Sequence, residues 1–101
     1  MDLGTTIKKL REQKGIRQNA FAKACNLSQT YVSQIENNAK EPSIEILKLI
    51  SKKLNIPLPI LFFLSMDEKD VKVNKREAYQ FIEPSIKSFI GEFFASASIN
   101  K

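Results

Sequence analysis

The stretch NLSQTYVSQIENN, residues 26–38, carries five side-chain amides and, among them, the hydroxyls of Ser28, Thr30 and Ser33. These groups donate and accept hydrogen bonds without carrying charge. Leu27, Val32 and Ile35 recur through the same stretch at near-helical spacing. A helix starting at Ser28 would therefore turn an apolar stripe inward and present Gln29, Thr30, Ser33 and Gln34 outward. The chemistry open to such a face is recognition of another polar surface. For an isolated segment, an ordinary solvated helix face explains the pattern as well.

Other chemistries are poorly supplied. The 101 residues include no histidine and a single cysteine, Cys25, so histidine-based acid–base catalysis, the usual zinc sites and an intrachain disulfide are all missing. No phosphate-cradling glycine loop occurs. Asp67, Glu68 and Asp70 cluster in a charged segment and read as solvent-facing charge. Cys25 lies on the apolar side of its helix and reads as a core thiol. We expect no enzyme, no cofactor and no metal. Met1 leads into a polar segment rather than a signal peptide, and a reduced, cytoplasmic compartment fits one cysteine. The longest apolar run, residues 56–64, contains two prolines and is too short to span a membrane.

The formal net charge is +5. Residues 1–64 hold ten basic and five acidic residues, and residues 65–101 hold six of each. All the excess positive charge thus lies in the first part, where it would attract a polyanion such as nucleic acid, an acidic protein or an anionic membrane.

Apolar residues recur at helical spacing along the whole chain, glycine is scarce and strand-like alternation is missing, so the fold class is all-α. The first helix is expected over residues 5–14, capped by Thr5 or Thr6 and stopped at Gly15. The second covers 18–25, the third 28–37 and the fourth 44–54, with Ser43 as its cap and Asn55 as its stop. A short fifth helix covers 58–64. Residues 65–73 read as a charged linker. Asn74 and Glu77 form a capping pair for a last amphipathic helix over 74–95, in which Pro84 should cause a kink or break. Residues 96–101 read as a fraying tail.

The second and third helices carry the most specific pattern. Two short helices crossing steeply need a small residue at the crossing, and Ala22 supplies it. The turn needs a residue tolerant of positive φ, and Asn26 is the best non-glycine choice. Leu27 plugs the junction, while Val32 and Ile35 pack inward. With these features, RQNAFAKACNLSQTYVSQIENNAKEPS resembles the helix-turn-helix of Cro and phage repressors, the xenobiotic-response-element type of bacterial regulator. The resemblance extends over residues 3–64 and implies a compact, lambda-repressor-like bundle of five helices. Asn26 and Asn38 stand where that family usually has glycine.

The resemblance implies that the third helix enters the major groove of double-stranded DNA. It makes Gln29, Thr30 and Gln34 the leading readers of base edges, with Ser33 a further one, because glutamine can bond bidentately to adenine and hydroxyls meet several edges. Gln18 resembles a family glutamine that clamps the DNA backbone. Arg17, Tyr31, Asn37, Asn38 and Lys40 are further phosphate candidates. Arg11 and Glu36 match a family pair in which an arginine of the first helix holds a glutamate at the end of the recognition helix. Their role would be architectural.

The C-terminal stripe of Ile82, Ile86, Phe89, Ile90, Phe93 and Phe94 is long for a segment that follows a complete domain. It could fold back onto the bundle, form a homodimer or dock another protein; a membrane-surface helix fits less well, because the opposite face is not strongly basic. Dimerisation is the expectation adopted, since it would set two recognition helices one DNA turn, ~34 Å, apart. The function expected is therefore a transcriptional regulator, a repressor or autoregulator, on a palindromic operator. The alternative is a protein-interaction module, antitoxin-like or regulator-docking, that uses the apolar C-terminal helix.

Overall fold

The structure, a computed structural model, describes residues 1–99, leaving out the side chains of Phe93 and of residues 96–99. The described residues are all-α. The helices are α1 (Leu3–Gln13), α2 (Gln18–Ala24), α3 (Gln29–Glu36), α4 (Ile44–Leu54), α5 (Leu58–Ser65) and α6 (Arg76–Ile99), with 3-10 turns at Glu68–Asp70 and Val73–Lys75. They divide into two compact units, Met1–Met66 and Asp67–Lys101.

In the first unit, α1 packs on α3 and α5, α2 on α3, and α4 on α5. Its core collects Ile7 and Leu10 of α1, Phe21, Ala22 and Cys25 around α2, Val32 and Ile35 of α3, and Leu47, Ile50 and Leu54 of α4. Ile56 and Leu61 complete it. Ala22 is buried at the α2–α3 crossing, as its size requires.

Four helices of this unit end in the same way. After α2, the N–H of Leu27 bonds the carbonyl of Ala22 at 2.9 Å and that of Asn26 bonds Lys23 at 3.1 Å. This is the six-to-one and five-to-two pattern that closes a helix through a left-handed residue. Ala39 and Asn38 repeat it on Gln34 and Ile35, Ile56 and Asn55 on Ser51 and Lys52, and Ile16 and Gly15 on Arg11 and Glu12. The left-handed residues are Asn26 (φ 57°), Asn38 (φ 59°), Asn55 (φ 56°) and Gly15 (φ 70°). Asparagine tolerates this region better than other side-chain-bearing residues, so the two departures from glycine leave the backbone intact.

The start of α1 differs from expectation. Its cap is Asp2, whose carboxylate accepts from the N–H of Thr5 at 3.0 Å. Thr5 and Thr6 lie inside the helix, and the Thr6 hydroxyl bonds back to the Asp2 carbonyl at 2.8 Å. An aspartate capping three residues ahead outcompetes the threonines because its charged oxygen also meets the positive end of the helix dipole. Ser28 and Ser43 cap α3 and α4, accepting from Tyr31 and Ile46.

In the second unit, the segment read as a charged linker is folded. The Asp67 side chain accepts from the N–H of Lys69 at 2.8 Å, and Asp70 accepts from that of Asp67 at 2.9 Å, so the two aspartates cap one turn reciprocally. The capping pair of Asn74 and Glu77 does not form; Asn74 sits inside the 3-10 turn that runs into α6 at Arg76. Arg76 instead donates to the carbonyls of Glu68 and Val71. α6 continues through Pro84 without a break. Proline removes only the bond to the Gln80 carbonyl, and both residues are exposed, so water can satisfy that group. α6 also takes in residues 96–99 of the segment read as tail; residues 100 and 101 lie outside the described residues. Along the apolar stripe, Ile90 is buried and Ile86 and Phe94 half-buried, whereas Phe81, Ile82 and Phe89 are 85%, 48% and 65% exposed. The Phe93 side chain lies outside the described residues.

The left-handed caps predict opposite outcomes for two substitutions. Asn26→Ala places a less tolerant residue at φ 57° and costs about 1 kcal/mol. Asn26→Gly stays within about 0.5 kcal/mol of the parent, because glycine relieves the conformation but enlarges the unfolded ensemble. Thermal unfolding resolves the difference. The Asn38 amide and the Thr5 N–H hold the Asp2 carboxyl below the usual aspartate range. A depressed folded value adds stability above the unfolded value and loses it as pH falls through the folded one. The stability gap between wild type and Asp2→Ala, measured by urea unfolding, is therefore expected to narrow as pH drops from about 5 to about 2.

Candidate nucleic-acid interface

The recognition face is built on α3, eight residues long, from its cap Ser28. At ~100° per residue, Gln29, Ser33, Asn37, Thr30 and Gln34 share one side of the helix. Tyr31, Ile35, Val32 and Glu36 share the other. Gln29, Thr30 and Asn37 are exposed, and Ser33, Gln34 and Tyr31 half-buried. Val32 and Ile35 are buried to 1% exposure. The amides and hydroxyls thus face outward because the apolar side is consumed by α1 and α2.

What fixes the helix about its own axis is a buried ion pair. Arg11 Nε donates to Glu36 Oε2 at 2.7 Å and Arg11 NH2 to Glu36 Oε1 at 3.0 Å, a two-pronged contact between residues only 6% and 3% exposed. Arg11 NH1 donates to the Ile16 carbonyl at 2.7 Å, fastening the α1–α2 loop to the same guanidinium. Hydrogen bonding to Glu36 raises the already high arginine pKa further, so the guanidinium stays charged at any physiological pH.

The pair continues into the recognition face. Gln18 Nε2 donates to Glu36 Oε1 at 3.1 Å, and Gln18 Oε1 accepts from Gln29 Nε2 at 3.3 Å. A chain of hydrogen bonds therefore runs Arg11–Glu36–Gln18–Gln29, from the interior to the first residue of α3. Gln18 and Gln29, singled out separately in the sequence, are thus one unit. Each amide nitrogen has two protons, so Gln18 retains a donor beyond its bond to Glu36. Arg17, which precedes Gln18 at the start of α2, and Lys40, whose N–H bonds the Gln34 carbonyl, are exposed. Asn37 donates to the Ser33 hydroxyl at 3.4 Å.

Asn38, read as a phosphate ligand, also bonds within the protein. Its Oδ1 accepts from the N–H of Gly4 at 3.1 Å and its Nδ2 donates to the Asp2 carboxylate at 2.8 Å. Both atoms of the amide are used within the protein. Gly4 matters for the same contact: a Cβ there would lie 2.3 Å from the Ile35 carbonyl oxygen. Asp2 and Gly4 were not legible as partners of α3, although an aspartate three residues before Thr5 is a capping signal. Cys25 is buried, and burial pushes its thiol pKa up, as for an inert core residue. Among the described residues there is no cluster of metal-ligating side chains, and no helix is long and apolar enough to cross a membrane.

The two helices joined by the tight α2–α3 corner meet their counterpart in known proteins. A family model for the helix-turn-helix matches residues 7–61. The chain belongs to the helix-turn-helix family. Its helix-turn-helix is of the Cro and phage-repressor type. It is 41% identical over 59 residues to the ImmF control region 10 kDa protein of Bacillus phage phi105, covering 58% of this chain and 66% of that protein. The immunity repressor protein of the same phage is 28% identical over 105 residues, covering 91% of this chain and 73% of the repressor. The chain spans as little as 11% of a longer regulator that it matches. Among solved structures, C.Esp1396I bound to a 25 base pair operator site superposes with a TM-score of 0.57 at 36% identity, covering 62% of this chain and 83% of that one.

Glu36→Ala is expected to cost about 3–5 kcal/mol in urea unfolding, since it strands the buried Arg11 charge. The double substitution Arg11→Met with Glu36→Leu should recover most of that loss, because apolar residues of similar volume replace such pairs at little cost.

Proposed function

We propose that this chain is a sequence-specific DNA-binding transcriptional regulator, a repressor or autoregulator, acting as a homodimer on a palindromic operator. The observation that carries the proposal is the outward amide and hydroxyl face of α3, its helix held by the Arg11–Glu36 pair and its first residue steadied through Gln18. In this reading Gln29, Thr30, Ser33 and Gln34 meet base edges in the major groove. Arg17, Gln18, Tyr31, Asn37 and Lys40 contact phosphates, Gln18 with its remaining amide proton. The excess charge of residues 1–64 steers the face toward DNA. Regulation follows from occupying a site that polymerase needs.

The homodimer would form through α6, where Phe81, Ile82 and Phe89 lie exposed. Such a patch supports a polypeptide partner, and a two-fold pairing matches two half-sites. The same patch supports a second reading, in which α6 docks a different protein and the bundle serves as scaffold. A regulator that binds no DNA at low salt would favour that second reading.

The test is a gel shift with operator fragments selected from random DNA, repeated over salt. Gln29→Ala with Gln34→Ala should lower operator affinity about tenfold or more while leaving the fold intact, each lost base contact costing about 1–3 kcal/mol. Arg17→Ala should weaken binding to all sequences alike and reduce the salt slope by about 1. Unchanged affinity and specificity in the double variant would remove the base-reading assignment.

A further inference from the structure

We infer that Asn38 is a positioning residue for the recognition helix: its side-chain amide locks the C-terminal end of α3 to the capped start of α1. The inference rests on the DNA-binding reading above and adds a control point that the helix-turn-helix pattern does not contain.

The geometry has three parts. The backbone of Asn38 is left-handed and closes α3 through the N–H of Asn38 on Ile35 and that of Ala39 on Gln34. This alone asks only for glycine or asparagine. The side chain then does what glycine cannot. Oδ1 takes the N–H of Gly4, one of the first-turn donors of α1 that no carbonyl within the helix can satisfy. Nδ2 reaches the Asp2 carboxylate, which also caps Thr5. The orientation of the amide is set by chemistry: a backbone N–H needs the oxygen, and a carboxylate needs the NH2. Finally, the two segments approach so closely that only a glycine fits at position 4, where a Cβ would meet Ile35 O at 2.3 Å and Asn38 Oδ1 at 2.5 Å.

The C-terminal end of α3 is therefore anchored to α1 twice. Arg11 grips Glu36 from the middle of α1, and Asp2 with Gly4 grips Asn38 from its start. A second anchor just beyond the end of α3 resists tilting of the helix in addition to what the ion pair, the packed Val32 and Ile35 and the Gln18–Gln29 bond supply. A tilt of α3 about Glu36 would displace the far end, where Gln29 and Thr30 lie, about 9–10 Å away at ~1.5 Å per residue. Base readers that must sit within hydrogen-bond reach are sensitive to such a shift.

The test uses the full chain and three variants: Asn38→Gly, which keeps the left-handed cap and deletes the amide; Asp2→Ala; and the double variant. Affinity for a selected operator and for unrelated duplex DNA is measured at one salt concentration, with amide exchange followed at Gly4 and Thr5. Asn38→Gly and Asp2→Ala are each expected to reduce the operator-to-nonspecific affinity ratio at least fivefold. The double variant should be no worse than the more affected single one, since both cut the same lock. Exchange should speed up at Gly4 in each. The sign for Asp2→Ala is decisive. Removing a negative charge raises affinity for a polyanion if Asp2 matters only electrostatically, whereas loss of the lock lowers specificity. A residue with a merely structural role would change thermal stability and leave the affinity ratio of the folded variants at the wild-type value; that result overturns the inference while leaving the DNA-binding reading intact. Losses that add in the double variant overturn it as well, as they would make Asn38 a separate phosphate contact. A wild-type chain that selects no DNA overturns both.

Discussion

A bidentate contact between Arg11 and Glu36 organises the first unit. Both residues are almost wholly buried, so each charge depends on the other for its solvation. The guanidinium has five donors in a fixed fork. Two go to Glu36, and another fixes the Ile16 carbonyl where the chain turns from α1 to α2. Glu36 has acceptor capacity to spare, which Gln18 uses. One ion pair thereby sets α1, the α1–α2 loop, the start of α2 and the end of α3 against one another. Buried pairs of this kind seldom exceed an apolar replacement in stability. What the pair contributes is direction: a hydrophobic contact would tolerate a rotated α3, and a forked hydrogen-bonded one does not.

The rest of the unit follows from that constraint. Helices this short, seven to eleven residues, cannot persist alone. They depend on packing through Ile7, Phe21, Val32, Ile35, Ile50 and Leu54 and on exact termination. Termination falls to Gly15, Asn26, Asn38 and Asn55, each closing a helix with the same pair of backbone bonds. Asparagine at these corners costs some conformational strain, and at position 38 its side chain returns something glycine lacks, a grip on Asp2 and Gly4. The outward face of α3 is the remainder: with its inner side filled and its end tied, the polar side is left outermost, Gln29 and Thr30 exposed and Ser33 and Gln34 half-buried.

Most of the first unit was legible in the sequence because its signals are local. The 3, 3 and 4 spacing of Ile44, Leu47, Ile50 and Leu54 gives α4 its limits, with Ser43 before it and Asn55 after it. The corner at Asn26 followed from that residue's tolerance of positive φ, and the Arg11–Glu36 pair carried over from the family resemblance. Asp2 was missed because two threonines nearby also offered caps, and its further partner, Asn38, is distant in the chain. That partnership spans 36 residues, and no periodicity encodes it. The link from Gln18 to Gln29 was hidden for the same reason. In the second unit, Pro84 does not break the helix, since losing one bond on an exposed side leaves it running. The acidic cluster at Asp67 and Asp70 looked like linker charge, yet the two carboxylates cap each other's turn.

A face rich in neutral donors and acceptors, beside exposed cations and held by a rigid interior, suits a surface whose edges differ in hydrogen-bond pattern and whose backbone is anionic. Duplex DNA is such a surface. The most direct measurement is a nitrogen-15 NMR titration of the full chain with an operator selected from random sequence, following backbone and side-chain amide signals. The account predicts that the side-chain amides of Gln29 and Gln34 and the backbone of Thr30 and Ser33 shift strongly with the selected operator and only weakly with unrelated duplex. Signals on α3 that stay unmoved, or shifts confined to α6, would contradict it.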